Sequence, residues 1–107
     1  MIRKRILVPE RVRHIHGGFG FIPHRFMADG FWGTLSREEL LLYFFLVVAS
    51  DKHALSYYGS KRICSLFDIS ESEYQRARDH LIMKDLVAFD GTFFQLLSLP
   101  TREAGND

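Results

Sequence analysis

A chain of 107 residues, 47% hydrophobic and carrying ten Phe, is long enough for one domain with its own core and too apolar to be disordered throughout. Its single cysteine, Cys64, excludes an internal disulfide framework and fits a reducing compartment. The net charge of +1 hides a split: residues 1–25 hold six basic and one acidic side chain, residues 26–107 eight basic and twelve acidic. A basic leader thus precedes a mildly acidic body.

Residues 1–34 read as an extended, basic, aromatic arm. Arg3-Lys4-Arg5 is followed by only Ile6-Leu7-Val8 before Pro9, too short for a signal peptide. Gly17-Gly18-Phe19-Gly20-Phe21-Ile22-Pro23 is a glycine-rich joint, and Phe26, Phe31 and Trp32 continue its aromatic character. The glycines follow no clear strand and open no helix with Lys-Ser/Thr, so they are not a phosphate loop. His14, His16 and His24 lack a Cys or acidic partner at zinc-site spacing, and no metal is expected. The chain has no nucleophile elbow and no carboxylate pair that spacing singles out. Neither an enzyme nor a cofactor is expected.

The body, residues 35–100, opens on Ser36-Arg37-Glu38-Glu39, a capping-box start with carboxylates near the positive end of the helix dipole. From Leu40 to Ala49 every residue is apolar except for the Tyr43 hydroxyl. Ten residues cannot span a bilayer, so no membrane partner is expected and a cytoplasmic location is. A helix apolar all round must be buried all round, and the expected cover on its far side is the arm's aromatics or a partner chain. Ala54-Leu55-Ser56-Tyr57-Tyr58 is a short strand candidate.

Ser60 to Leu97 organises the rest. Ile63, Leu66 and Phe67 share one face of a short helix, in which Cys64 reads as a packed thiol. Asp68-Ile69 turns the chain, and Ser70 with Glu73 forms a second capping box. Tyr74, Ala77 and Leu81 then mark the buried face of a helix over 71–84. Asp90-Gly91 between two β-prone runs predicts a two-residue hairpin turn pairing Phe89 with Thr92 and Val87 with Phe94. Residues 101–107 are polar and expected to be disordered.

This order of elements, with Tyr74, Ala77, Leu81 and Lys84-Asp85-Leu86-Val87, resembles the winged helix-turn-helix family of bacterial DNA-binding proteins; Asp85 stands where the family commonly has glycine. Leu40-Leu41-Leu42-Tyr43 and Phe94-Gln95-Leu96-Leu97-Ser98-Leu99-Pro100 are similar to segments of small winged-helix proteins carried on plasmids and insertion elements. The resemblance implies a mainly α fold with a small antiparallel β wing. It also implies sequence-specific binding of double-stranded DNA by a homodimer, in transcriptional control or mobile-element maintenance.

On a helical wheel Ser72, Gln75, Arg76, Asp79 and Met83 point away from the buried face. Gln75 suits adenine and Arg76 suits guanine in the major groove, although Asp79 is spaced to pair with Arg76. Ser70, Ser72, Lys61, Arg62, Tyr57 and Tyr58 are candidates for phosphate contacts. The acidic wing turn offers no base to the minor groove, so Arg3, Lys4, Arg5, Arg11 and Arg13 of the arm are the expected source of further positive charge, brought beside Gln75 by the arm's packing. The alternative is a winged-helix assembly module that binds protein through the apolar wing face and the aromatic arm, without strong DNA affinity.

Overall fold

The computed structural model describes residues 3–101. Met1, Ile2 and, beyond Thr101, the expected disordered tail lie outside the described residues. The protein is mainly helical: α1 (Arg25–Ala28), α2 (Arg37–Ala49), α3 (Ser60–Phe67) and α4 (Glu71–Met83) accompany a small antiparallel sheet, against which α2 and α4 pack. Its strands are β1 (Leu55–Ser56), β2 (Val87–Phe89) and β3 (Phe94–Leu96), in the spatial order β1-β3-β2. Among the described residues no helix is long and apolar enough to cross a membrane.

Helix starts and stops follow local chemistry. Both capping boxes form: Ser36 Oγ accepts from the Glu39 N–H and Ser70 Oγ from the Glu73 N–H, and each glutamate reaches back to its serine N–H. The two C-termini of the central pair match each other. Asp68 (φ 54°) and Asp85 (φ 63°) hold the left-handed position, and the next N–H returns from Ile69 to the Cys64 carbonyl and from Leu86 to that of Leu81. That conformation is the one glycine adopts without cost, and here an aspartate holds it at both positions.

The core lies where α2, α3 and α4 meet the sheet. Leu42, Leu46, Ile63, Tyr74, Leu81, Leu86, Val87 and Phe94 are sealed there. Phe45 on α2 meets Tyr58 and Phe67 edge-on, with ring centroids 5.0 and 5.4 Å apart, locking α3 and the β1 exit against α2.

The hairpin register differs from the two-residue turn. Phe89 pairs with Phe94, Ala88 with Gln95 and Val87 with Leu96, leaving a four-residue loop, Asp90 to Phe93. Asp90 Oδ1 accepts from the N–H groups of Thr92 (2.8 Å) and Phe93 (2.7 Å), an arrangement that a tighter turn cannot offer. Those bonds also hold its carboxyl below the usual range. Because the slip is by two positions, each side chain keeps its face. Phe89 and Phe94 now stack at 4.3 Å.

The leading segment is not extended throughout. Residues 3–19 are exposed without exception, but from Gly20 the chain lies on α2 and folds into α1 and a 3-10 turn, Phe31–Thr34. Phe26 is buried, stacked on Tyr43 at 5.1 Å and on Phe31 at 6.5 Å. The Arg25 guanidinium donates to the carbonyls of Leu99 and Pro100 and to Asp29, tying α1 to the end of the body. The radius of gyration, 16.4 Å, exceeds the roughly 13 Å of a compact chain of this length, as the projecting leader requires.

Within this chain α2 is not buried on all sides. Leu41, Phe44 and Val48 remain 36%, 59% and 61% exposed, a stripe at i, i+3, i+7. Helix α1 is four residues long and covers only the Tyr43 flank; Phe19, Phe21 and Trp32 stay exposed instead of closing the stripe.

Gly20 makes the docking possible. A Cβ there would stand 2.1 Å from the Val47 carbonyl oxygen at the end of α2. Backbone cannot yield as a flexible side chain would, so Gly20→Ala is expected to lift residues 17–24 off α2. Hydrogen exchange of the residue 20–28 amides should rise by at least tenfold, on the order of 1.4 kcal/mol of lost local stability. Unchanged protection would refute the packing role.

Candidate nucleic-acid interface

Helix α4 is held from behind by three elements. Tyr74, Ala77 and Leu81 are its buried residues, facing α2, α3 and β2. Its C-terminal half is fastened to α2 by a buried carboxylate. Glu39, 4% exposed, accepts from Lys84 Nζ (2.8 Å) through Oε1, and its Oε2 lies 2.7 Å from His80 Nδ1, whose ring N–H donates. Lys84 also donates to the Thr34 carbonyl. Burial alone would raise the Glu39 pKa. The bonds from Lys84, His80 and the Ser36 N–H outweigh it and hold the group down to about 2.

The opposite face of α4 is open. Ser72, Gln75, Arg76, Asp79 and Met83 are all exposed. Asp79 does not take Arg76: its Oδ1 receives Arg78 Nε at 3.0 Å, and Arg76 forms no ion pair with any described residue. The i, i+3 spacing was less favourable than the adjacent arginine, whose side chain is held near Asp79 by lying over the rings of Tyr74 (5.6 Å) and Phe89 (5.5 Å). Ser70 Oγ accepts from the Glu73 N–H in its cap and lies 3.1 Å from Ser72 Oγ, so one hydroxyl proton of the pair is shared between them and the other is free to donate.

Lys61 and Arg62 are exposed on the first turn of α3, which Gly59 caps without a side chain. Tyr58 packs on Phe45 and keeps 37% of its surface exposed. Lys61 and Arg62 thus lie exposed on α3, Ser72, Gln75 and Arg76 on α4, and Tyr58 and Ser70 on the approaches to them. Arg3, Lys4, Arg5, Arg11 and Arg13 lie in the exposed leader and make no hydrogen bond or ion pair with the body among the described residues. The leader joins the body elsewhere, where Gly17 to Phe21 face Asp51, Leu97 and Leu99 across a cavity of 760 Å³.

Sequence reasoning passed over Arg78. Its position four residues after Tyr74 was the available signal, since that spacing sets a cation over an aromatic ring on one helix face. Cys64 Sγ approaches the Ser70 carbonyl at 3.7 Å, and burial with Glu71 nearby pushes its thiol pKa up. In the leader the rings of His14 and His16 meet edge-on at 6.1 Å. Among the described residues no three His, Cys, Asp or Glu side chains converge as metal ligands. No protein-family model, curated protein or solved structure matches this chain.

Proposed function

We propose that residues 35–100 are a winged helix-turn-helix domain that binds double-stranded DNA with α4 in the major groove. The protein acts as a homodimer in transcriptional control or mobile-element maintenance in the cytoplasm. The chain order α2–β1–α3–α4–β2–β3 and the sheet order β1-β3-β2 support the fold reading. One observation carries the functional reading: Gln75 and Arg76 stand exposed side by side on the outward face of α4, with Arg76 released from Asp79. Arg is suited to O6 and N7 of guanine and Gln to N6 and N7 of adenine. Ser72, Lys61 and Arg62 are available to phosphates, and the leader's cations add affinity without sequence information.

Anisotropy titrations of the full chain on labelled genomic duplex fragments, across a salt series, test this. Arg76→Ala is expected to weaken the preferred fragment by about 10- to 100-fold, in line with 1–3 kcal/mol for a bidentate base contact, and to leave random duplex nearly unchanged. Deleting residues 1–19 should weaken all fragments alike and flatten the salt dependence. Absence of binding at low salt would remove the proposal.

The exposed Leu41, Phe44 and Val48 stripe favours a second reading, an assembly module whose partner covers α2. Light scattering with a pull-down separates the two readings: a stable hetero-complex with negligible DNA affinity favours the module.

A further inference from the structure

Between the start of α3 and the β2–β3 loop lies a cleft of 360 Å³, of whose lining the duplex reading uses only the two tyrosines before α3. Tyr57, Tyr58, Ser60, Tyr74, Arg78 and Thr92 are among the residues that line it, five that carry a hydroxyl and one a guanidinium, and none of the six is acidic. Its volume is at the small end of ligand clefts, about 300–1,000 Å³, enough for a phosphate and part of a sugar. Arg78 reaches the cleft over the Tyr74 and Phe89 rings. Its Nε is given to Asp79, and no described carboxylate takes its other N–H groups. Gly59 and Ser60, at the uncapped start of α3, border the same space.

Beside the cleft stands an aromatic pair. Tyr57 is 65% exposed and Phe93 46%, with ring centroids 5.5 Å apart. The Asp90 carboxylate fixes Phe93 in this place by accepting its N–H, so the ring is held out by the turn itself. Two exposed rings next to a cleft that holds a guanidinium are the parts from which single-stranded nucleic acid sites are built, with the phosphate on the guanidinium and the base face on the rings. Bases inside a duplex have no free face to offer; unpaired ones do.

We propose that the cleft and the Tyr57–Phe93 pair bind an unpaired nucleotide, its phosphate at Arg78 and the first turn of α3 and its base on the rings, so that the protein prefers duplex DNA with a single-stranded branch. This rests on the reading of α4 as the duplex-facing helix, and it adds the site's specificity for DNA structure.

The test is anisotropy of the full chain on a forked oligonucleotide and on a blunt duplex with the same paired sequence. The fork should bind about tenfold more tightly, in keeping with stacking of one base. Phe93→Ala should abolish the preference while leaving duplex affinity and the circular dichroism spectrum unchanged; Tyr57→Ala should abolish it as well, and Tyr57→Phe should retain it. Arg78→Lys, which keeps the charge, should weaken the fork less than Arg78→Gln. Equal affinity for fork and duplex, or a preference indifferent to both alanine variants, overturns the proposal and leaves duplex recognition standing. Fork binding without duplex binding removes the duplex reading and with it the preference for a branched duplex, leaving only a site for unpaired nucleotides. Binding to neither removes both.

Discussion

Glu39→Gln is expected to lower the unfolding free energy by about 3 kcal/mol and the melting temperature by on the order of 10–20 °C. Glutamine at the third helical position still reaches back to the Ser36 N–H, so the capping box survives and the loss isolates the charge. What disappears is the partner of Lys84 and His80, leaving a half-buried ammonium beside a neutral amide. Breaking a buried pair from one side costs about 3–5 kcal/mol in measured cases. Glu39→Ala should lose about 1 kcal/mol more, because the cap goes too.

The same group sets a pH dependence of known sign. The Glu39 pKa falls from an ordinary 4.5 in the unfolded chain to about 2 in the folded one. Between those values the unfolded state binds more protons, so stability rises with pH. The contribution is fully present above pH 4.5 and is lost as the pH falls through about 2. It amounts to about 3 kcal/mol at 1.36 kcal/mol per tenfold change. Asp51, Glu73 and Asp90 are lowered too, each by backbone N–H donors, and share the sign. Urea melts from pH 7 to pH 2.5 should show a steeper loss for the natural chain than for Glu39→Gln. Parallel curves would mean the network contributes nothing.

Two truncations divide the leading segment into parts with opposite effects. Removing residues 1–19 should leave the melting temperature within a few degrees of the full chain, since residues 3–19 are all exposed. Removing residues 1–34 takes away Phe26 and its stack on Tyr43, the Arg25 bonds to Leu99 and Pro100, and the Thr34 carbonyl that receives Lys84. Deleting a buried Phe side chain alone costs about 3–5 kcal/mol. The remainder would also expose the Tyr43 flank of α2 next to the stripe already open, and it is expected to aggregate. A soluble residue 35–107 fragment with a cooperative melt would refute this.

Much of the fold was legible because it is coded locally. Ser-x-x-Glu at 36–39 and 70–73 marks two helix starts, for a cap is satisfied within one turn of chain. The period of Tyr74, Ala77 and Leu81 identified the buried face of α4, and with it the exposed positions of Gln75 and Arg76. The hairpin faces were legible and the register was not, since a slip of two residues preserves the alternation that the pattern reports.

By itself, then, the sequence determined the boundaries of α2, α3 and α4, the strand faces and the division into a basic leader and an acidic body, all of which depend on neighbours within a few residues. Only the tertiary structure decided which arginine Asp79 takes, how far the leader stays free before Gly20 meets Val47, and that Leu41, Phe44 and Val48 remain uncovered. It also brought Glu39 to His80 and Lys84, and Arg78 to Phe89 beside an aromatic turn. The reason is physical. These contacts join residues whose distance along the chain says nothing of their distance in space, and each outcome is a competition among partners that only packing brings within reach.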